Sequence, residues 1–172
     1  PVEQSFTPNV IQGSQLWKSV GLNTKQKVSV MYVEDDPHFA ELLSVVFQNS
    51  EQIDFKAGFR SIEDFIRAQT SEARLSDWYP DVLVMDVMSG NDLRFDGATY
   101  ANALRTSGVR VGVVLVSSMV IGKIMDVFRK TNPGGWRALQ KTSRLKSEEI
   151  ISAVLETANE MRTKWNGYSF SD

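Results

Sequence analysis

The chain has 172 residues, of which 42% are hydrophobic and 23% charged, a balance that fits one globular domain with some flanking chain and excludes a disordered, collagen-like or coiled-coil protein. Its formal charge of −2 gives no broad electrostatic reason to bind a polyanion, so direct nucleic-acid binding is not expected. With no cysteine and one histidine, disulfides, thiol nucleophiles and cysteine- or histidine-rich metal sites are excluded.

Residues 1–26 are polar, carry two glycines and two prolines, and show no sustained period of 2 or 3.6; they read as a loose N-terminal extension. From Lys27 the pattern changes. Val28–Val33 is a short apolar run, as parallel strands covered on both faces are. A helix follows, opened by Asp36 as cap and Pro37 at its first position, with Phe39, Leu42, Leu43, Val46 and Phe47 on one face. Ile53–Phe59 is a second strand, and Ser61–Gln69 a helix with Ile62, Phe65 and Ile66 turned inward.

Two further apolar runs, Val82–Met85 and Val111–Val116, are strands, separated by a helix over Ala98–Thr106. Val120–Lys130 is helical and is stopped by the turn from Thr131 to Gly135, after which Trp136–Gln140 forms the last strand. The closing helix starts near Ser147 and runs to about residue 165, with Glu148 and Glu149 in its first turn and an apolar stripe of Ile151, Val154, Leu155, Ala158, Met161 and Trp165. Residues 166–172 are left as a tail. Five strands alternating with five helices predict an α/β domain over residues 27–165, a doubly wound five-stranded parallel sheet with right-handed crossovers.

The longest uncharged stretch in the apolar middle of the chain is Val111 to Gly122, twelve residues, far short of the roughly 20 that span a bilayer. The first 26 residues lack the apolar block of a secretory signal. A cytoplasmic location with no membrane contact is therefore expected.

In an open parallel sheet, ligands bind beyond the carboxyl ends of the strands. There the sequence places Glu34, Asp35 and Asp36 after the first strand, Asp86 after the third, Ser117 and Ser118 after the fourth, and Lys141 after the fifth. Carboxylates that close repel one another, so a cation must join them, and oxygen ligands in a half-open site suit Mg²⁺ or Mn²⁺. An ion, an ammonium from Lys141 and a hydroxyl from Ser117 around Asp86 are the groups that stabilise a phosphoryl in transfer. Asp36 is better used as the helix cap than as a ligand. Taken singly, Asp86 is as well read as a capping aspartate, Lys141 as a solvated strand-end lysine and Ser117 as a partner for a loop amide; their joint placement argues otherwise.

The stretches VMYVEDDP, DVLVMDVMSG, VVLVSSM and WRALQKTS, in that order at successive strand ends, resemble the receiver domain of two-component response regulators over about residues 27–157. The resemblance implies a flavodoxin-like strand order, 2-1-3-4-5. It also implies that Asp86 is the phosphoacceptor for a phosphohistidine on a sensor histidine kinase or phosphotransfer protein. Asp35 would ligate Mg²⁺ directly, Glu34 through water, and Met88 through its backbone carbonyl. Ser117 would approach the phosphoryl and Lys141 would pair with one of its oxygens. A homodimer or an output domain would use the surface of strand 4, helix 4, strand 5 and helix 5.

The chain departs from the pattern in three places. Nine residues without proline separate Asp86 from Asp96, Ala138 stands where most receivers carry a mobile aromatic, and Thr142 replaces the proline after the lysine. These favour an alternative, a non-phosphorylated pseudo-receiver that acts as an interaction scaffold. Trp136 shares a face with Ala138 and reads as a fixed packing residue. A phosphohydrolase ranks last, because Met88 occupies the place of its second aspartate. Met88 and Met119 flank the position of an attacking water and neither can orient it, so self-dephosphorylation should be slow at most. Met88→Asn or Met119→Glu is expected to shorten the lifetime of the phosphorylated form, as followed by intact mass over time.

Overall fold

The computed structural model describes residues 26–72, 78–87, 97–118 and 122–164. Among them lie five strands, β1 (Val28–Val33), β2 (Ile53–Phe59), β3 (Val82–Asp86), β4 (Gly112–Ser117) and β5 (Trp136–Gln140). Five helices alternate with them: α1 (Pro37–Gln48), α2 (Ile62–Glu72), α3 (Gly97–Thr106), α4 (Gly122–Thr131) and α5 (Ser147–Lys164). All strand pairs are parallel and the order is β2-β1-β3-β4-β5, the doubly wound arrangement expected from the alternation of strands and helices.

Period-two alternation along the buried strands builds two cores. Val82, Val84, Val114 and Val116 point to the α1/α5 face, while Leu83, Met85, Val113 and Leu115 point to the α2/α3/α4 face. Each such side chain withdrawn from water is worth about 1.5–3 kcal/mol. The central strand β3 is buried along its whole length, Asp86 included, so the sheet carries a carboxylate into its apolar middle.

Strands β3 and β4 each end one residue later than the apolar runs predict, on Asp86 and on Ser117. Pairing continues through these polar residues because the backbone ladder is indifferent to the side chain: Asp86 stands in register with Val116, and Ser117 with Gln140. The helix phases need larger corrections. Leu42 is 39% exposed and Ile66 is 38% exposed, not turned inward; α1 instead buries Ala40, Leu43, Val46 and Phe47. Spacing defines a face about 100° wide, and small Ala40 lets α1 settle on its own side of that face.

In α5 the buried set is Ile150, Ala153, Val154, Thr157 and Ala158, one position round from the expected stripe, with Ile151 and Leu155 half-buried at its flank. Thr157 escapes a hydropathy pattern because its hydroxyl donates to the Ala153 carbonyl at 2.6 Å, which satisfies it inside the core. The close approach of α5 also needs Gly112, where a Cβ would stand 2.6 Å from the Thr157 methyl. Trp165, the N-terminal extension and the tail lie outside the described residues.

At the edge opposite the strand ends, Arg105 is only 1% exposed. Its guanidinium donates to the Gly134 carbonyl at 2.7 Å and the Gly135 carbonyl at 3.2 Å, fastening α3 to the turn that precedes β5. Burial lowers its pKa to about 10, against the raising influence of Glu160, so it stays charged at neutral pH. The Gly135 amide, at a φ of 75°, donates to Glu160 on α5 at 2.8 Å. Arg105→Met keeps the aliphatic length and takes the guanidinium donor from the Gly134 carbonyl, while the Gly135 carbonyl keeps the Val113 amide at 3.1 Å; it is expected to cost about 2 kcal/mol in chemical denaturation. A neutral result would mean that the Glu160 and Val113 contacts hold the turn without the guanidinium.

Trp136 on β5 is pinned by an indole donation to the Asn132 carbonyl at 2.9 Å and by an edge contact with Phe128 at 5.1 Å between centroids. It lies with Ala138 against the α2/α3/α4 core, as alternation predicts.

Candidate functional site

The site lies at the carboxyl edge of β1, β3, β4 and β5. Glu34 follows β1 directly and prolongs its pairing, since the Glu34 amide donates to the Phe59 carbonyl at 2.9 Å. That extra rung carries its side chain under the edge, where it is fully buried. Asp36 turns the chain: its carboxylate accepts the His38 amide at 3.0 Å as the cap of α1, and Pro37 occupies the first helical position. The Asp36 amide in turn donates to Glu34 Oε1 at 3.0 Å. Asp36 is thus a cap, as its place in the sequence suggests, and Asp35 is left exposed at the mouth of the site.

Glu34, Asp35 and Asp86 bring one carboxylate oxygen each to within 4.8 Å of one another. Lys141 enters from the end of β5, its backbone fixed by an amide donation to the Ser117 carbonyl at 2.7 Å. Its ammonium straddles Glu34, 2.8 Å from Oε1 and 2.7 Å from Oε2, with only Oε1 aligned for a hydrogen bond. Asp86 Oδ2 is farther, at 3.4 Å. The phenyl ring of Phe39 covers the same ammonium at 4.9 Å from its centroid. Ser117 is fully buried at the end of β4, in the strand beside Asp86.

The electrostatics follow from this crowding. Burial pushes the Asp86 carboxyl up to about 8; the charge of Glu34 and the Asp35 side chain add to the rise, and Lys141 opposes it. Fully ionised, three carboxylates against one ammonium leave two negative charges in excess. A hard divalent cation removes that excess and prefers an all-oxygen donor set, so these residues fit Mg²⁺ or Mn²⁺. Met88 lies outside the described residues, as do Met119 and Asp96.

Behind Asp86, α3 starts in close contact with the end of β3. The Gly97 amide donates to the Val87 carbonyl at 2.9 Å, and a Cβ on Gly97 would overlap the Asp86 carbonyl oxygen and lie 2.7 Å from Met85 Cγ. Backbone cannot yield as a flexible side chain does. Gly97→Ala is expected to cost about 2 kcal/mol and to weaken Mg²⁺ binding by moving Asp86, read by denaturation and by metal titration. Wild-type values in both would show that α3 can shift without disturbing the carboxylate.

Sequence reasoning named Glu34, Asp35, Asp86, Ser117 and Lys141; the structure brings the first three and Lys141 into one cluster and sets Ser117 on the adjoining strand end. It missed Phe39, whose helical spacing marks it only as core. The Lys141 ammonium, expected around Asp86, lies closer to Glu34, at 2.7 Å against 3.4 Å.

No family model and no curated protein matches this sequence. Its fold is similar to solved receiver domains. The signal receiver domain of the putative response regulator NarL from Mycobacterium tuberculosis is 22% identical, with a TM-score of 0.62 over 77% of this chain and 97% of that one. The receiver domain of a modulated diguanylate cyclase from Desulfovibrio desulfuricans G20 is 18% identical, with a TM-score of 0.62 over 81% and 99% of the two chains. The response regulator domain of Thermotoga maritima CheB is 14% identical, with a TM-score of 0.60 over 78% and 98%. The architecture is thus the flavodoxin-like fold of response-regulator receiver domains.

Proposed function

We propose that this chain is a phosphoacceptor receiver, taking a phosphoryl group from a phosphohistidine on a sensor histidine kinase or phosphotransfer protein onto Asp86. The observation that carries the reading is the buried Glu34–Lys141–Asp86 bridge beside Asp35, at the strand-end edge of a receiver fold. An oxygen of ionised Asp86 attacks phosphorus as the N–P bond to the histidine breaks; the imidazole leaves and takes up a proton. Lys141, already within ion-pair distance of Asp86, neutralises charge on the incoming phosphoryl, and Ser117 supplies a hydroxyl donor from β4. Glu34, Asp35, Asp86 and the Met88 carbonyl would hold Mg²⁺ or Mn²⁺, which when bound disperses the negative charge of the transferring group.

The receiver acts as a signalling switch and not as an enzyme with turnover, apart from self-dephosphorylation slowed by Met88 and Met119. Phosphorylation then shifts the surface formed by β4, α4, β5 and α5 toward a partner, an output domain or a second copy. No helix among the described residues is long and apolar enough to cross a membrane.

A non-phosphorylated scaffold is the competing reading, favoured by Ala138, by Thr142 and by the nine residues between Asp86 and Asp96. Incubation with acetyl phosphate and Mg²⁺, read by intact mass, separates the two. The switch requires the mass of one phosphoryl group on the wild type and none on Asp86→Asn; an unmodified wild type would leave the scaffold.

A further inference from the structure

We infer that Phe39 is a positioning residue for Lys141, holding the ammonium over the carboxylates for phosphorylation of Asp86. Two observations carry this. Lys141 Nζ faces carboxylates on one side, Glu34 at 2.7 Å and Asp86 at 3.4 Å, and the Phe39 ring at 4.9 Å on another. The lysine side chain is 13% exposed, so its ammonium stands against the ring with little of the stem left to water.

The ring itself is held from the first turn of α1. The Asp36 cap and Pro37 fix where the helix begins, and Phe39 packs against the α1/α5 core. A lysine stem has four rotatable bonds, and its backbone anchor, the amide donation to Ser117, leaves the ammonium free to choose among rotamers. The negative face of the phenyl quadrupole favours the rotamer seen here. An aliphatic side chain of similar volume fills the same space without that preference. Fixing the ammonium also fixes Glu34, whose buried carboxylate depends on it and on the Asp36 amide.

The inference rests on the phosphoacceptor reading, and its test separates the two. The measurements are the rate of phosphorylation by acetyl phosphate with Mg²⁺, and the shift of the Lys141 ε-methylene protons by NMR, in wild type, Phe39→Leu and Phe39→Tyr. The ring current should move the methylene signal upfield in wild type and in Phe39→Tyr, and the displacement should vanish in Phe39→Leu. Phosphorylation of Phe39→Leu should slow about fivefold, the factor that about 1 kcal/mol represents, with Phe39→Tyr near the wild-type rate. Equal slowing in both variants would assign Phe39 to packing alone and overturn the inference, as would a wild-type rate in Phe39→Leu or an unshifted methylene in wild type. If wild type itself takes up no phosphoryl group, the functional reading fails and the inference with it.

Discussion

Asp86→Asn is expected to make the metal-free protein more stable, by on the order of 4 kcal/mol at pH 8 and by little near pH 4. The cause is the crowding of negative charge around a carboxyl that burial has already pushed up to about 8. In the unfolded chain the same group titrates near its ordinary value of about 4. Below that value it is protonated in both states and contributes nothing. Between about 4 and 8 the unfolded chain releases a proton that the folded chain keeps, so unfolding gains about 1.4 kcal/mol for each pH unit. Above about 8 the whole penalty is in place.

Asparagine has no such proton to lose, and its amide can donate to Glu34, so the variant escapes the slope at about 1 kcal/mol for burying a polar group. Chemical denaturation in the presence of a chelator, repeated across this pH range, measures both the gap and its growth. Saturating Mg²⁺ should narrow the gap, because it binds the folded wild type and not the unfolded chain. A variant no more stable than wild type at pH 8, or a gap that does not widen from pH 4, would mean that Asp86 sits comfortably ionised where it is.

How far the sequence reveals this arrangement depends on the range of the interaction concerned. Strands read well because β-branched runs such as Val111–Val116 and turn residues such as Asn132-Pro133-Gly134 are local signals. The capping role of Asp36 reads equally well, since cap and helix lie within three residues. Helix phase reads less well. Whether Leu42 faces the core is decided by what α1 lies against, and α5 docks through Thr157 and Gly112, neither of which raises a hydropathy signal.

The site shows the same division. Acidic and basic residues at strand ends can be placed on one edge once the sheet is parallel, so Glu34, Asp35, Asp86, Ser117 and Lys141 are legible without coordinates. Which carboxylate the ammonium chooses is not, because that depends on the extra rung that buries Glu34 and on the ring of Phe39. Arg105 offers no sequence signal beyond its place in the last turn of α3, and a lone arginine is ordinarily a surface residue. Its burial follows from two glycine carbonyls that only the folded turn presents.

Lys141→Met supplies the converse of Asp86→Asn. Methionine keeps much of the length of the stem and removes the charge, leaving Glu34 fully buried without the cation that lies 2.7 Å from it. Removing one partner of a buried pair typically costs about 3–5 kcal/mol, and a loss of that order is expected in metal-free denaturation. The same change deepens the negative potential at the site, so Mg²⁺ should bind several-fold more tightly and restore part of the lost stability.

Each variant therefore moves stability and metal affinity in opposite directions, and the two variants are opposite to each other: Asp86→Asn gains stability and loses Mg²⁺ affinity, Lys141→Met loses stability and gains it. Packing defects do not behave so, since a cavity at either position would lower both. Phosphorylation by acetyl phosphate should nonetheless fall in Lys141→Met despite tighter metal binding, because the ammonium that answers the charge of the incoming phosphoryl is gone. Tight Mg²⁺ binding with an undiminished phosphorylation rate would show that the ammonium only holds Glu34 in place, and would confine Lys141 to a structural role.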